Sequence, residues 1–136
     1  MRRRATTRLG STLRSAAWLA GAGALPAAAL ALRFAWRGRM VVEGTSMSPT
    51  LEPGDRVLAV PPWRLRPGLL VTVADPRQPE LVMVKRLGRI TGAGVEVLGD
   101  NPDHSTDSRQ LGLLPSHLLR GRLALRYWPR WRAGKL

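Results

Sequence analysis

The fold is decided by the stretch Leu81–Ile90 (LVMVKRLGRI), which is followed by Gly92-Ala93-Gly94 and then by Val95–Leu98 (VEVL). Both flanking runs are rich in Val, Leu and Ile, which is typical of β-strands, and the glycine-containing break between them is typical of a hairpin turn. The stretch therefore predicts two antiparallel strands. The first carries Lys85, and the second leads to Gly99.

Further apolar runs on both sides of this hairpin have the same character and are separated by Pro- and Gly-containing breaks. They are Met40 to Glu43, Arg56 to Val60, Leu69 to Ala74 and Leu118 to Tyr127. The pattern predicts a mainly β protein with one compact antiparallel β domain over residues 40–136. In its last strand, alternation predicts that Leu123, Leu125 and Tyr127 face the core, that Arg122, Ala124 and Arg126 face water, and that a solvated tail follows.

Residues 1–39 differ sharply in composition from the rest of the chain. They hold eight arginines and no acid, whereas residues 40–136 hold fourteen Lys or Arg against nine Asp or Glu. The charge-free run from Ser15 to Leu32 would span about 27 Å as a helix, close to the hydrocarbon thickness of a bilayer. We therefore predict one N-terminal transmembrane anchor over residues 1–39, with a cleaved targeting peptide as the alternative.

Composition excludes several kinds of chemistry. The 136 residues contain no cysteine, so disulfides, thiolate catalysis and cysteine metal sites are all ruled out. The net charge of +13 and the Arg-rich tail with Trp128 and Trp131 are compatible with either a lipid surface or nucleic acid. The acids around His104 do not have the spacing of a calcium loop, so we expect no metal and no cofactor.

A concentration of hydroxyl side chains lies in Gly44-Thr45-Ser46-Met47-Ser48-Pro49-Thr50. A serine is a weak nucleophile unless a base activates it, and the chain offers two histidines or a desolvated lysine as that base. Lys85 is the best candidate, because burial at the end of an apolar run lowers the pKa of an ammonium group. Local chemistry does not distinguish Ser46 from Ser48 as the nucleophile.

Three segments together resemble the type I signal peptidases, which are Ser/Lys membrane-bound endopeptidases, including the small maturation peptidases and the mitochondrial inner-membrane peptidases. Ser46-Met47-x-Pro49-Thr50 is similar to the nucleophile box, and Lys85-Arg86 to the general-base box. Gly99-Asp100-Asn101 with Ser105-x-Asp107-Ser108-Arg109 is similar to the third box. The resemblance covers roughly residues 40 to 128.

The resemblance implies a role for each matching residue. Ser46 would attack the scissile carbonyl, Lys85 would take its proton, and Ser105 would orient the lysine amine. An ion pair between Asp107 and Arg109 would brace the loop that carries Ser105. Met47 and Pro49 would support the nucleophile box structurally. Gly44 and the backbone N–H of Ser46 would lie at the oxyanion.

The same resemblance implies an enzyme that cuts signal or leader peptides from precursor proteins. Its partners would be those precursors and the lipid bilayer, with no nucleic acid. It would lie in the cell membrane as a single-pass protein, with its N-terminus cytoplasmic and its catalytic domain on the outer side. A dedicated maturation peptidase for one precursor, or a non-enzymatic cationic membrane or RNA adapter, are the alternatives.

Overall fold

The computed structural model describes residues 38–136, so the predicted anchor over residues 1–39 lies almost entirely outside the described part of the chain. Seven strands, one short α-helix and three 3₁₀ turns make up the secondary structure of residues 38–136. The strands are β1 (Arg39–Val41), β2 (Arg56–Val60), β3 (Leu70–Asp75), β4 (Gln78–Thr91), β5 (Gly94–Leu98), β6 (Leu119–Trp128) and β7 (Gly134–Lys135), and the helix is α1 (Ser108–Leu111). Among residues 38–136, no helix has the length and apolar character needed to cross a membrane.

All seven strands belong to one antiparallel sheet. Its order is β1-β2-β6-β3-β4-β5, and β7 pairs with β6 outside this path. The prediction of a mainly β, antiparallel domain is therefore confirmed. The prediction missed the first three residues of β4 and all of β7, because proline, acid and glycine weaken the strand signal there.

Two tight hairpins fix the position of β4, the strand that carries Lys85. The β3–β4 turn consists of residues 76–77, and Asp75 pairs with Gln78 across it. The β4–β5 turn consists of Gly92 and Ala93, with Thr91 paired to Gly94, so the predicted hairpin is confirmed. Two-residue loops leave β4 little freedom to slide, and the register of its neighbours is fixed accordingly.

Strand β3 lies at the centre of the packing. All six of its residues are buried, and it contributes Leu70 to one apolar cluster and Val71 and Val73 to another. Leu70 packs with Met47, Leu51 and Leu123, whereas Val71 packs on the opposite face of the strand in the other cluster. The second cluster is completed by Val73, Leu87, Val95, Val97 and Leu114. Because Met47 and Leu51 belong to the first cluster, the turn after Ser46 is held by the core itself.

Strand β6 departs from the alternation that the sequence predicts. Leu123 is fully buried as expected, but the pairing of β6 with β2 contains two register shifts. Each shift breaks the strict inward and outward alternation of a regular strand. As a result, the prediction that Arg126 faces water is wrong. Its side chain is 15% exposed, and its Nη1 atom donates to Asp55 Oδ2 at 3.2 Å and to the carbonyl oxygen of Thr50 at 2.8 Å.

The tail after β6 is also not simply solvated. Residues Arg130–Arg132 form a 3₁₀ turn, from which Arg132 reaches Asp55 at 3.2 Å and the carbonyl oxygens of Pro49 and Thr50. Asp55 is 2% exposed and also accepts a hydrogen bond from the backbone N–H of Glu52. The loop from Pro49 to Asp55 is therefore clamped by two arginines from the C-terminal part of the chain.

We predict that Asp55→Ala destabilises the domain by about 3 kcal/mol, because removal of one partner from a buried ion pair leaves the remaining charges uncompensated. Urea unfolding of the full chain, followed by near-UV circular dichroism, measures the effect. Asp103→Ala, which removes an exposed acid, is the matched control and is expected to change stability by less than about 0.5 kcal/mol. Equal effects of the two substitutions would contradict the role of the clamp.

Candidate active site

Lys85 is buried within β4, where its backbone pairs with Val71 of β3. Lys85 is only 3% exposed, although its side chain ends in an amine. The Nζ atom donates a hydrogen bond of 2.8 Å to the Oγ atom of Ser105. A buried amine with one hydroxyl partner is unusual, because lysines are almost never buried unless they are paired.

Ser105 is in turn hydrogen-bonded to the buried carboxylate of Asp107. Its hydroxyl donates to Asp107 Oδ2 at 2.6 Å, and the backbone N–H of Gly99 donates to the same oxygen at 2.7 Å. Arg109 binds Asp107 with both its Nε atom, at 3.0 Å, and its Nη2 atom, at 2.7 Å. Arg109 Nη2 also donates to the carbonyl oxygen of Gly99. The loop that carries Ser105 is thus tied to the end of β5.

The local sequence explains why Asp107 is fixed so firmly. Asp107 is the N-cap of α1 and accepts from the backbone N–H of Arg109, while Gln110 reaches back to the N–H of Asp107. This reciprocal pair is a capping box, which satisfies donors that a helix start otherwise leaves open. One carboxylate therefore starts the helix and holds Ser105 at the same time.

The electrostatics of this network favour a neutral amine and an ionised carboxylate. Burial lowers the pKa of Lys85, and nearby Arg109 lowers it further, while the charge of Asp107 acts in the opposite direction. Burial by itself would raise the pKa of Asp107. The hydrogen bonds from Arg109, Ser105 and the N–H of Gly99 outweigh that effect and hold the pKa well below its usual range.

Ser46 and Lys85 line the same cleft, which has a volume of about 220 Å³. One wall consists of Met40 to Glu43, and the other consists of Leu81 to Val84 of β4. The hydroxyl of Ser46 makes no hydrogen bond within residues 38–136, and the lysine amine donates to Ser105 rather than to Ser46. Ser46 and Lys85 therefore share the cleft without a hydrogen bond between their side chains.

Ser48 differs from Ser46 in its surroundings. Its hydroxyl donates to Glu52 Oε2 at 2.8 Å within the turn, and Ser48 does not line the cleft of Ser46. The turn also uses Gly44 with a φ of 74°, a left-handed conformation that glycine adopts without the penalty of a Cβ atom. Met47 is buried in the core, whereas Pro49 is exposed and its carbonyl oxygen accepts from Arg132.

The sequence analysis did not identify the contact between Asn101 and the turn that carries Ser46. The backbone N–H of Asn101 donates to the carbonyl oxygen of Ser46 at 3.0 Å, and its side-chain amide donates to the carbonyl oxygen of Thr45 at 3.2 Å. The turn that carries Ser46 is therefore hydrogen-bonded directly to the segment after β5. In the sequence, the available signal was that Gly99-Asp100-Asn101 lies close to Ser105. The residue that accepts from the Asn101 backbone, Ser46, lies 55 positions earlier in the chain.

A second missed contact joins Arg86, next to Lys85, to Asp100. The guanidinium is bidentate, with an Nη2–Oδ2 distance of 2.6 Å and an Nε–Oδ1 distance of 2.8 Å, and its Nη1 atom donates to the carbonyl oxygen of Gly68. The hydrogen bond from Arg86 lowers the pKa of Asp100, although burial opposes it. Arg86 therefore links β4 both to the segment after β5 and to the turn before β3.

Neither histidine side chain takes part in this hydrogen-bond network within residues 38–136. His104 is exposed in a 3₁₀ turn (Pro102–His104), as predicted, and His117 lies in the 3₁₀ turn Ser116–Leu118 that leads into β6. Within residues 38–136, no three His, Cys, Asp or Glu side chains come together as a group that could hold a metal ion.

Comparison with known protein families identifies the family to which the chain belongs. The family profile "Signal peptidase, peptidase S26" matches residues 15–97, which is more than half of the chain. The chain therefore belongs to the S26 signal peptidase family, and it is a peptidase of that class. Ser46 and Lys85 lie inside the matched range, whereas Ser105, Asp107 and Arg109 lie beyond it.

The chain is also similar in sequence to individual inner membrane proteases of mitochondria. The chain is 31% identical to mitochondrial inner membrane protease subunit 1 of Xenopus tropicalis, with 71% of this chain and 72% of the relative aligned. It is 35% identical to mitochondrial ATP-independent inner membrane protease subunit 1a of Arabidopsis thaliana, with 65% and 68% aligned. It is 30% identical to mitochondrial inner membrane protease subunit 2 of Danio rerio, with 66% and 64% aligned.

We predict that Gly99→Ala removes most of the activity while the domain stays folded. A Cβ atom at Gly99 would overlap the side chain of Ser105 and would lie 2.7 Å from the carbonyl oxygen of Ser46, so both residues would have to shift. Displacements of about 1 Å at a reacting centre cost about 100-fold in rate. Peptide cleavage and thermal unfolding are measured together.

Gly92→Ala is the control for this substitution, because no heavy atom lies within 4 Å of a Cβ atom at that position. It is expected to leave cleavage unchanged. If Gly99→Ala cleaved as fast as Gly92→Ala, the close approach of the three segments would not matter for the reaction.

Proposed function

We propose that this protein is a membrane-anchored serine endopeptidase that uses a Ser46/Lys85 dyad to cleave signal or leader peptides from precursor proteins. The observation that carries the proposal is the buried Lys85 amine, with its pKa lowered by burial, in the same cleft as Ser46. Such an amine can be neutral near physiological pH and can accept a proton from a hydroxyl group.

In the acylation step, the neutral Nζ atom of Lys85 accepts the proton of Ser46 as the Oγ atom bonds to the scissile carbonyl carbon. The ammonium then gives that proton to the leaving nitrogen, the C–N bond breaks, and an acyl-enzyme remains. The same amine then takes a proton from water as the water oxygen bonds to the acyl carbon, and it returns that proton to Ser46 Oγ as the ester bond breaks, which regenerates the serine hydroxyl and the neutral amine. Ser105 holds the amine in position during both steps and is therefore a positioning residue.

The negative oxygen of the tetrahedral intermediate requires hydrogen-bond donors. The backbone N–H of Ser46 donates to no acceptor within residues 38–136, so it is available for this purpose. Gly44 has no side chain that could add a donor. Its left-handed φ shapes the turn in which the N–H group lies.

The cleft suits an extended peptide. Among residues 38–136, β1 pairs only with β2, and the part of β4 from Val82 to Lys85 pairs only with β3, because β5 begins to pair at Arg86. Both walls of the cleft therefore present unpaired backbone groups. A substrate added as a strand between them would use these groups as hydrogen-bond partners, as in other cases of β-augmentation.

The remaining parts of the proposal concern location and substrate breadth. Residues 1–39 would anchor the chain in the cell membrane, with a cytoplasmic N-terminus and the catalytic domain on the outer side, and the partners would be precursor proteins and the bilayer. The names of the relatives, which are inner membrane proteases, support membrane association. The alternative of a dedicated maturation peptidase is supported by the two-residue β4–β5 turn, which leaves no space for an inserted domain there.

The dyad predicts that Ser46→Ala and Lys85→Ala each reduce the rate of peptide cleavage by at least about 1,000-fold. Lys85→Arg is expected to be equally inactive, because a guanidinium does not give up its proton near neutral pH. Ser48→Ala and His104→Ala are the controls and are expected to keep most activity. If Ser48→Ala or His104→Ala were inactive while Lys85→Ala still cut, the dyad would be wrong.

The lowered pKa of Lys85 predicts the pH dependence of cleavage. The reaction needs the neutral amine, so kcat/KM is expected to fall as pH drops through the pKa of Lys85 in the folded protein. That acidic limb should lie well below the ordinary lysine value. Ser105→Ala is expected to lower kcat more than it changes KM, because the amine loses its hydrogen-bond partner. An acidic limb at the ordinary lysine value would contradict burial as the source of activation.

The proposed anchor predicts that the full chain resists extraction by alkaline carbonate, with residues 40–136 accessible to protease from the outer side of the membrane. A chain that begins near Met40 is expected to cleave a short soluble peptide but to lose efficiency on membrane-bound precursors. Recovery of the full chain in the soluble fraction, or removal of its N-terminus near Ala31, would favour a cleaved targeting peptide instead.

A further inference from the structure

The side chain of Asn101 is directed away from its own 3₁₀ turn and toward the turn that carries Ser46. Asn101 is the N-cap of the 3₁₀ turn Pro102–His104, a position where an asparagine oxygen commonly accepts from the first backbone N–H groups. Here the side chain makes no capping hydrogen bond. Its amide donates instead to the carbonyl oxygen of Thr45 at 3.2 Å, across 56 positions of the chain.

Asn101 holds the peptide units on both sides of the Ser46 Cα atom. Its backbone N–H donates to the carbonyl oxygen of Ser46 at 3.0 Å and holds the unit after Ser46. Its side chain holds the unit before Ser46 through the carbonyl oxygen of Thr45. A substitution of the side chain therefore removes the contact with Thr45 and leaves the backbone contact with Ser46 in place.

The peptide unit between Thr45 and Ser46 also contains the N–H group proposed for the oxyanion. Among residues 38–136, the cis peptide bonds precede Pro49 and Pro129, so this unit is trans. In a planar trans unit the carbonyl oxygen and the N–H hydrogen point in opposite directions. When Asn101 holds the carbonyl oxygen of Thr45, it therefore also sets the direction of the Ser46 N–H, which has no acceptor within residues 38–136.

The same hydrogen bond makes that N–H group a stronger donor. Hydrogen bonds that share a peptide unit polarise one another, so a donor at the carbonyl oxygen increases the positive charge on the N–H hydrogen. The carbonyl oxygen of Thr45 accepts a second hydrogen bond, from the N–H of Ser48 at 3.0 Å. The turn therefore keeps one hydrogen bond at this oxygen when the Asn101 amide is removed.

Asn101 is itself held in position by the segment after β5. Its neighbour Asp100 binds the guanidinium of Arg86 on β4 through two hydrogen bonds, of 2.6 and 2.8 Å. One residue further back, the N–H of Gly99 donates to the buried carboxylate of Asp107. The amide of Asn101 is thus presented to the Ser46 turn from a fixed backbone.

We propose that Asn101 is a positioning residue for the oxyanion, because its side-chain amide orients and polarises the peptide unit whose N–H group stabilises that charge. The inference rests on the proposed function, since it takes Ser46 as the nucleophile. Asn101 touches no reacting atom in this role. It acts on the transition state through Thr45 and Ser46, and it leaves the amine of Lys85 and its partner Ser105 unaffected.

The first test measures peptide cleavage by the full chain with Asn101→Ala in detergent. We expect kcat to fall about tenfold, less than the 100- to 1,000-fold that loss of a direct oxyanion donor costs. KM and the acidic limb of the kcat/KM profile should stay unchanged, because Lys85 keeps its hydrogen bond to Ser105. His104→Ala, which removes an exposed side chain of the same 3₁₀ turn, is the control and should keep kcat. An unchanged kcat for Asn101→Ala, or a shifted acidic limb, would overturn the proposal.

A pair of inhibitors separates the oxyanion from the general shape of the cleft. In a peptide aldehyde, Ser46 Oγ bonds to the aldehyde carbon, the serine proton moves to Lys85, and the former carbonyl oxygen takes the place of the oxyanion. The corresponding peptide alcohol binds without forming this bond. We expect Asn101→Ala to weaken binding of the aldehyde about tenfold and to leave the Kd of the alcohol unchanged. Partial unfolding would leave the ratio of the two Kd values as it is, and equal weakening of both compounds would contradict the proposal.

The ¹⁵N resonance of Ser46 in the full chain reports the polarisation of this peptide unit without any need for activity. We expect an upfield shift in Asn101→Ala and no shift in His104→Ala. If the resonance shifts but the unmodified chain cuts no peptide, the contact between Asn101 and Thr45 stands and the proposed peptidase function fails. If the unmodified chain cuts but the resonance stays in place in Asn101→Ala, the peptidase function stands and this proposal is wrong.

Discussion

The burial of the Lys85 amine is the constraint on which the rest of the structure depends. A buried amine loses its hydration, and here a single hydroxyl, that of Ser105, accepts from it. Ser105 is oriented for this role because its hydroxyl donates a hydrogen bond to Asp107, which is itself held by Arg109 and by the N–H of Gly99. The order of these contacts leaves the lysine without a direct carboxylate partner, so burial lowers its pKa.

The charged side chains around the site bind one another and backbone carbonyl oxygens, and within residues 38–136 none of them forms an ion pair with the Lys85 amine. Arg86, the next residue after Lys85, binds Asp100 and the carbonyl oxygen of Gly68 instead of approaching the cleft. On the other side, Asp55 is paired with Arg126 and Arg132 and fixes the loop that follows Ser46. The ion pairs of Asp55 join segments more than 70 residues apart in the chain, so the loop after Ser46 depends on the C-terminal part of the domain.

Much of the fold could be predicted because it depends on local patterns. The runs around Lys85 and Val97, with the glycine turn between them, carry their strand signal in neighbouring residues, and β4 and β5 form the expected hairpin. The same reasoning failed for Arg126, because two register shifts in the pairing of β6 with β2 changed its direction. Such shifts arise from contacts between strands, which a single strand's sequence does not contain.

The sequence by itself determined the chemical types available, namely hydroxyl groups around Ser46, a lysine at the end of an apolar run and no cysteine. It also determined the antiparallel β class, because strand periodicity and turn residues act over a few positions. Only the tertiary structure decided that Ser46, rather than Ser48, opens onto the cleft with Lys85, and that Asn101 holds the Ser46 turn. These choices depend on side-chain direction and on contacts between segments more than 50 residues apart, which packing of the core sets.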